Sequence, residues 1–160
     1  MDEVPEVDFA FAVFRDDGDW EVEDLTDQFL ESVESLAAGL RRFPGEGGAM
    51  ALIGLDEDVF VIVRVEDHVV RVLLSDVTAA DDWELARSVL EHLNLPFPDD
   101  DDDSEPAGDL AILADLGMPA ADLADLIDDH DLFPDEVLSE VAEELGFADE
   151  FDEALGLASA

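Results

Sequence analysis

Hydrophobic and polar positions alternate most regularly from Val59 to Leu74, VFVIVRVEDHVVRVLL, where two β-branched runs flank a polar break at Glu66 to His68 and predict an antiparallel hairpin. The side-chain period of two sends Val59, Val61, Val63, Val65, Val70, Val72 and Leu74 to one face. The reverse face holds Phe60, Ile62, Arg64, Val69, Arg71 and Leu73. A loop of Glu66 and Asp67 sets Arg64 opposite Val69, whereas a turn centred on Asp67 and His68 sets Arg64 directly against Arg71. Like charges directly opposite destabilise a strand pair, so the first register is expected. One face is fully apolar and the other mixed, the pattern of an antiparallel sheet with helices on one side and solvent or a partner on the other.

The same reasoning extends along the chain. Val7 to Arg15 alternates as a strand, Asp16 to Asp19 turns, and Trp20 to Asp24 returns with Trp20 and Val22 inward. Thr26 reads as the N-cap of a helix striped by Phe29, Leu30, Val33, Leu36, Ala37 and Leu40, with Arg41 and Arg42 in its last turn and Pro44 and Gly45 stopping it. Met50 to Leu55 is a third strand before the hairpin, and Ala79 to Leu93 a second helix carrying Trp83, Ala86, Val89, Leu90 and Leu93. The order β-β-α-β-β-β-α predicts an α+β fold with a five-stranded antiparallel sheet, similar to roadblock and longin-type domains by topology analogy alone.

This sheet domain is expected over residues 1–97. Residues 98–107 hold five consecutive aspartates, Asp99, Asp100, Asp101, Asp102 and Asp103, a self-repelling run that reads as a disordered linker. Residues 108–160 then form a small helical module. Its expected helices are Asp109 to Leu116 closed by Gly117, one opened by Pro119 with Leu123, Leu126 and Ile127, one opened by Pro134 and closed by Gly146, and a last short one around Phe151 and Leu155. So small a bundle is marginal alone, which leaves it to dock on the sheet domain or on a partner.

Charge changes the picture of what the protein can touch. Among 160 residues there are 46 acids against six arginines and no lysine, a formal charge of −40. Direct binding to nucleic acid is disfavoured, because phosphate contacts need Lys or Arg, and anionic membrane surfaces are disfavoured likewise. The field attracts a basic protein; it also fits adaptation to high salt or simple solubility, with the acids as a solvated coat. Without cysteine there is no disulfide, no thiolate nucleophile and no Cys-ligated metal. No leader-like or membrane-length apolar run occurs, so a cytoplasmic location is expected.

No catalytic constellation emerges. Counted from Asp99, the Ca²⁺-loop positions six and twelve hold Ser104 and Leu110 rather than Gly and Glu. His68, His92 and His130 lack metal-ligand spacing, and Gly45, Gly47 and Gly48 precede a strand with no Lys nearby, so neither phosphate-binding fingerprint applies. There is no GxSxG. The expectation is a non-enzyme without cofactor or metal. Arg64 and Arg71 stand out because two of the six basic groups share the mixed sheet face. They either pair with local acids or form a binding face for an acidic segment, such as Asp99 to Asp103.

Several stretches taken in series resemble the actinobacterial tRNA adenosine deaminase-associated protein family. These are FAFAVFRDDGDW, the helix with Leu36 and Ala37, VFVIVRV and VVRVLLSDVTAA, the Asp-rich spacer, and DLAILADLGMPAADLADL followed by LFPDEVLSEVAEELGF. The resemblance implies work beside a tRNA adenosine deaminase and supplies no catalytic residues to carry over. The chain itself lacks the P-C-x-x-C half of the zinc-deaminase signature. The expected function is an acidic accessory or regulatory protein that contacts the basic surface of the deaminase or of another basic protein. The alternative is an independent ligand-binding or scaffold module on the mixed sheet face. Oligomeric state is not legible.

Overall fold

Alternation in the sequence becomes strands in space. The computed structural model describes residues 9–16, 18–25, 32–42, 49–55, 59–66, 69–81, 83–95, 106–129 and 133–159. Strands β1 (Phe9–Asp16), β2 (Asp19–Asp24), β3 (Ala49–Gly54), β4 (Phe60–Glu66), β5 (Val69–Leu74) and β6 (Ala107–Gly108) form one antiparallel sheet in the order β2-β1-β3-β4-β5-β6. Among the described residues five α-helices accompany it: α1 (Val33–Leu40), α2 (Glu84–Leu93), α3 (Ala120–Asp128), α4 (Pro134–Leu145) and α5 (Ala148–Ser159). The fold is α+β, with six strands where the alternation predicts five.

The sixth strand has only two residues, too short to show a period. It pairs Ala107 and Gly108 with Leu74 and Leu73. Gly108 takes φ +113°, and a Cβ there would collide with the Val72 carbonyl oxygen, so the close approach requires glycine.

Both faces of the sheet are covered. On the apolar face, Ala12, Ala51, Val61, Val63 and Val72 pack with Leu36 and Leu40 of α1 and with Ala86, Val89 and Leu90 of α2. On the opposite face, Phe9, Phe11, Val13, Met50, Leu52, Phe60, Ile62 and Leu73 pack with Leu123 of α3, with Leu138, Val141 and Ala142 of α4, and with Phe147 and Phe151. The face expected to meet solvent or a partner is thus covered by the C-terminal helices. Phe151 makes edge-on contacts with Phe9 and Phe11, at ring-centroid distances of 6.1 and 5.8 Å, the arrangement aromatic quadrupoles favour. Burying one such side chain is worth roughly 1.5–3 kcal/mol.

Three local expectations need correction. In the hairpin, Arg64 lies opposite Arg71, Val65 opposite Val70 and Glu66 opposite Val69, so the register is not the expected one and Glu66 belongs to the strand rather than to the loop. The division of side chains between faces is unaffected, because it does not depend on which register is chosen. Asp109 to Leu116 is not a helix but a series of turns ending in a 3-10 turn, Ala114–Leu116. Before α2, the chain from Val77 to Asp81 is 3-10, and the α-helix starts only after Trp83.

On the other elements the pattern is read more directly. Pro134 opens α4, Glu136 reaches back to the Phe133 N–H, and Gly146 in the left-handed region ends the helix. Ser32 caps α1, accepting from the Ser35 N–H at 3.2 Å. The expected cap at Thr26 and the stripe residues Phe29 and Leu30 lie outside the described residues, as do Asp99 to Asp103, His68 and His130.

Candidate functional site

Arg64 and Arg71 occupy facing positions in the middle of the hairpin, on the face the C-terminal helices cover. The Ser75 N–H donates to the Phe60 carbonyl at 3.1 Å, and bonded pairs recur at every second residue, so Arg64 and Arg71 form one of the wider, hydrogen-bonded pairs. Each guanidinium has its own anion. Arg64 is 3% exposed and donates to Ile112 O at 2.8 Å and to both carboxylate oxygens of Asp115 at 2.5 and 2.8 Å, with Glu66 at 2.5 Å. Arg71 donates from Nε to Asp109 Oδ2 at 2.8 Å and from Nη2 to Ala111 O at 3.0 Å. The like-charge penalty that argues against this register is offset by carboxylates that arrive 38 and 51 residues later in the chain.

These contacts also explain why Asp109 to Leu116 is not helical. Asp109 accepts the Ala111 N–H through its side chain at 2.9 Å, an Asx turn that competes with helix formation. The carbonyls of Ala111 and Ile112 turn to the arginines, and Ala111 O also takes the Ala114 N–H at 3.0 Å, closing a 3-10 turn where a helix would reach one residue further.

Electrostatically, the cluster is self-neutralising. Burial alone would push the Arg64 guanidinium down, but the hydrogen bond and charge of Asp115, with the charge of Glu66, more than offset this and hold it above its ordinary value. The hydrogen bond from Arg64 holds the Asp115 carboxyl below the usual carboxylate range, against a smaller opposing effect of burial. The cluster binds the segment 109–115 to the sheet and contains no nucleophile paired with a base.

Elsewhere the charge is one-sided. After Arg87 the sequence contains no Lys or Arg. Helices α3 to α5 expose Asp122, Asp125, Asp128, Asp135, Glu136, Glu140, Glu143, Glu144, Asp149, Glu150, Asp152 and Glu153. Of the other arginines, Arg15 lies over the Trp20 ring at 4.8 Å, Arg87 donates to Ala80 O at 2.7 Å, and Arg41 and Arg42 are exposed just past α1. Trp20 and Trp83 are half-buried and pack against opposite cores. His92, at the end of α2, meets Val70 O at 3.2 Å. Among the described residues no group of three His, Cys, Asp or Glu is arranged to hold a metal ion, and no helix is long and apolar enough to cross a membrane.

Nothing in the sequence singles out Asp115 and Asp109 as the partners of Arg64 and Arg71. The only sequence signal of this pairing is two carboxylates beside the first apolar residues after the linker, which in so acidic a chain is no signal at all.

Comparison with known proteins identifies the chain where geometry alone does not. No solved structure matches, so the likeness to roadblock and longin-type domains stays one of element order. Protein Rv3753c of Mycobacterium tuberculosis (strain ATCC 25618 / H37Rv) is 39% identical over 145 residues, which cover 89% of this chain and 84% of that protein. The model of the Rv3753c-like tRNA adenosine deaminase-associated proteins matches residues 8–148. The chain therefore belongs to the Rv3753c-like tRNA adenosine deaminase-associated protein family.

Proposed function

We propose that this chain is a non-enzymatic, acidic accessory protein of a tRNA adenosine deaminase, working in the cytoplasm by contact between its anionic exterior and the basic, tRNA-binding surface of that enzyme. Family membership carries the reading. The charge supports it: a formal −40 favours a basic protein over tRNA itself, and helices α3 to α5 present carboxylates with no base among them. The absence of cysteine removes the zinc-deaminase ligand set, so deamination belongs to the partner.

A ligand module on the mixed sheet face is the less favoured reading, because a ligand there would have to displace α3 to α5, whose side chains fill that face. Mixing the purified chain with the deaminase from the same cell tests the proposal. A complex at about 50 mM salt that weakens by about 500 mM is expected, since exposed charges are screened over a few ångströms at the higher value. Two components that sediment independently at about 50 mM refute it.

A further inference from the structure

The two edges of the sheet are unlike. At the β6 end, the outward carbonyls of β5 are occupied: Val72 O accepts the Asp109 N–H at 3.0 Å, and Val70 O meets His92 Nε2 at 3.2 Å. Strand β2 forms the other edge. The Leu25 N–H donates to Ala10 O at 3.0 Å, and bonded pairs alternate, so Glu21 and Glu23 turn their backbone groups to β1. The N–H and C=O of Trp20 and Val22 therefore point away from the sheet, and among the described residues nothing pairs with them.

An edge of six residues whose outward backbone groups have no partner among the described residues is a template for another strand. Its side chains say which kind. Trp20 and Val22 pack toward the α5 side of the sheet, and exposed Glu21 and Glu23 stand on the opposite side, where neighbouring β1 offers Ala12 and Phe14 and no base. A second copy of this chain pairing edge to edge would bring Asp19, Glu21 and Glu23 against their own kind, which disfavours self-association. A strand with Lys or Arg at alternate positions meets both requirements at once: backbone groups for the free edge and cations for the carboxylates.

We propose that β2 is a docking edge for an extended basic segment of a partner protein, which adds to the sheet as a seventh strand with its cations over Glu21 and Glu23 and apolar residues alongside Trp20 and Val22. This mode combines main-chain affinity with side-chain selection at alternate positions. It rests on the reading of a basic partner and adds the place and conformation of the contact.

The test uses two capped eight-residue peptides of equal composition and charge, one alternating lysine and valine, the other with four lysines followed by four valines. Titrated into the full chain, the alternating peptide is expected to bind about tenfold more tightly, as two or three cross-strand pairs would give. It is also expected to shift the amide resonances of Trp20 and Val22. Val22→Pro removes an outward N–H without touching the β1 ladder and should abolish that advantage. Should the proline variant lose its folded circular dichroism, Glu21→Lys with Glu23→Lys serves instead and should have the same effect. Equal binding of the two peptides, or shifts confined to the acids of α3 to α5, overturns the proposal. A deaminase complex that survives in both variants overturns the edge and leaves the accessory reading standing. Selective peptide binding without any deaminase complex does the reverse.

Discussion

Replacing Asp115 with alanine tests how much of the fold depends on the two arginines. The substitution removes both carboxylate contacts from Arg64, a side chain 3% exposed, and leaves it Ile112 O and Glu66. Breaking a fully buried pair costs about 3–5 kcal/mol, whereas an exposed pair is worth only about 0.2–1 kcal/mol. This pair lies between those limits, because the Asp115 side chain is 55% exposed and Glu66 remains at 2.5 Å. A loss of about 2 kcal/mol follows, or a fall in Tm of about 4–8 °C for a chain of this size. Urea unfolding followed by far-ultraviolet circular dichroism measures it. The sign of the pH dependence is fixed by the lowered Asp115 value. A carboxyl depressed in the folded state contributes fully above its unfolded value, near 3.9, and loses that contribution as pH falls through the lower folded one. The gap between wild type and Asp115→Ala should therefore be full at pH 7 and shrink below about pH 4. A gap under about 0.5 kcal/mol at pH 7, or one that persists unchanged at the acid end, would show that Asp115 does not hold Arg64 in the fold.

Other consequences follow from the same structure. Phe151→Ala, which empties a site fully buried against Phe9, Phe11 and Phe147, should cost about 3–5 kcal/mol by chemical denaturation. A cost near zero would mean that α5 does not close the second core. Gly108→Ala should destabilise by more than about 1 kcal/mol, because it combines a positive φ with a collision against Val72 O; an unchanged urea midpoint would contradict the β6 pairing. Sodium chloride should raise Tm between about 10 mM and 0.5 M, since screening relieves a net charge of −40 more than it weakens the ion pairs of Arg64 and Arg71. A Tm that falls across that range would show the pairs to dominate.

How much of this was legible depends on the range of the interaction involved. The two faces of the hairpin could be assigned from Val59 to Leu74 because the period of two is a local property. The register could not, because the carboxylates that permit Arg64 to face Arg71 belong to Asp109 and Asp115, remote in sequence. The helix stripes of α4 and α5 were readable from Val137, Leu138, Val141 and Phe151; that they cover the second sheet face was not, since an apolar stripe does not name its acceptor. The turn structure of Asp109 to Leu116 was hidden for the same reason as the register, because its carbonyls answer to side chains on β4 and β5. For Arg64 and Arg71 the sequence left local pairing and a binding face as alternatives, and nothing in it distinguished them. The family was legible only as a series of stretches, none with chemistry of its own.

Under the proposed function the chain assists a deaminase without performing the reaction. Inosine formation in tRNA, measured with the chain alone, the deaminase alone and both together, tests it most directly. No inosine is expected from the chain alone, and a dose-dependent change in the deaminase's rate or tRNA affinity is expected at about 50 mM salt that fades by about 500 mM. Inosine formed by the chain alone, or a deaminase indifferent to it at every concentration and salt, would contradict the claim.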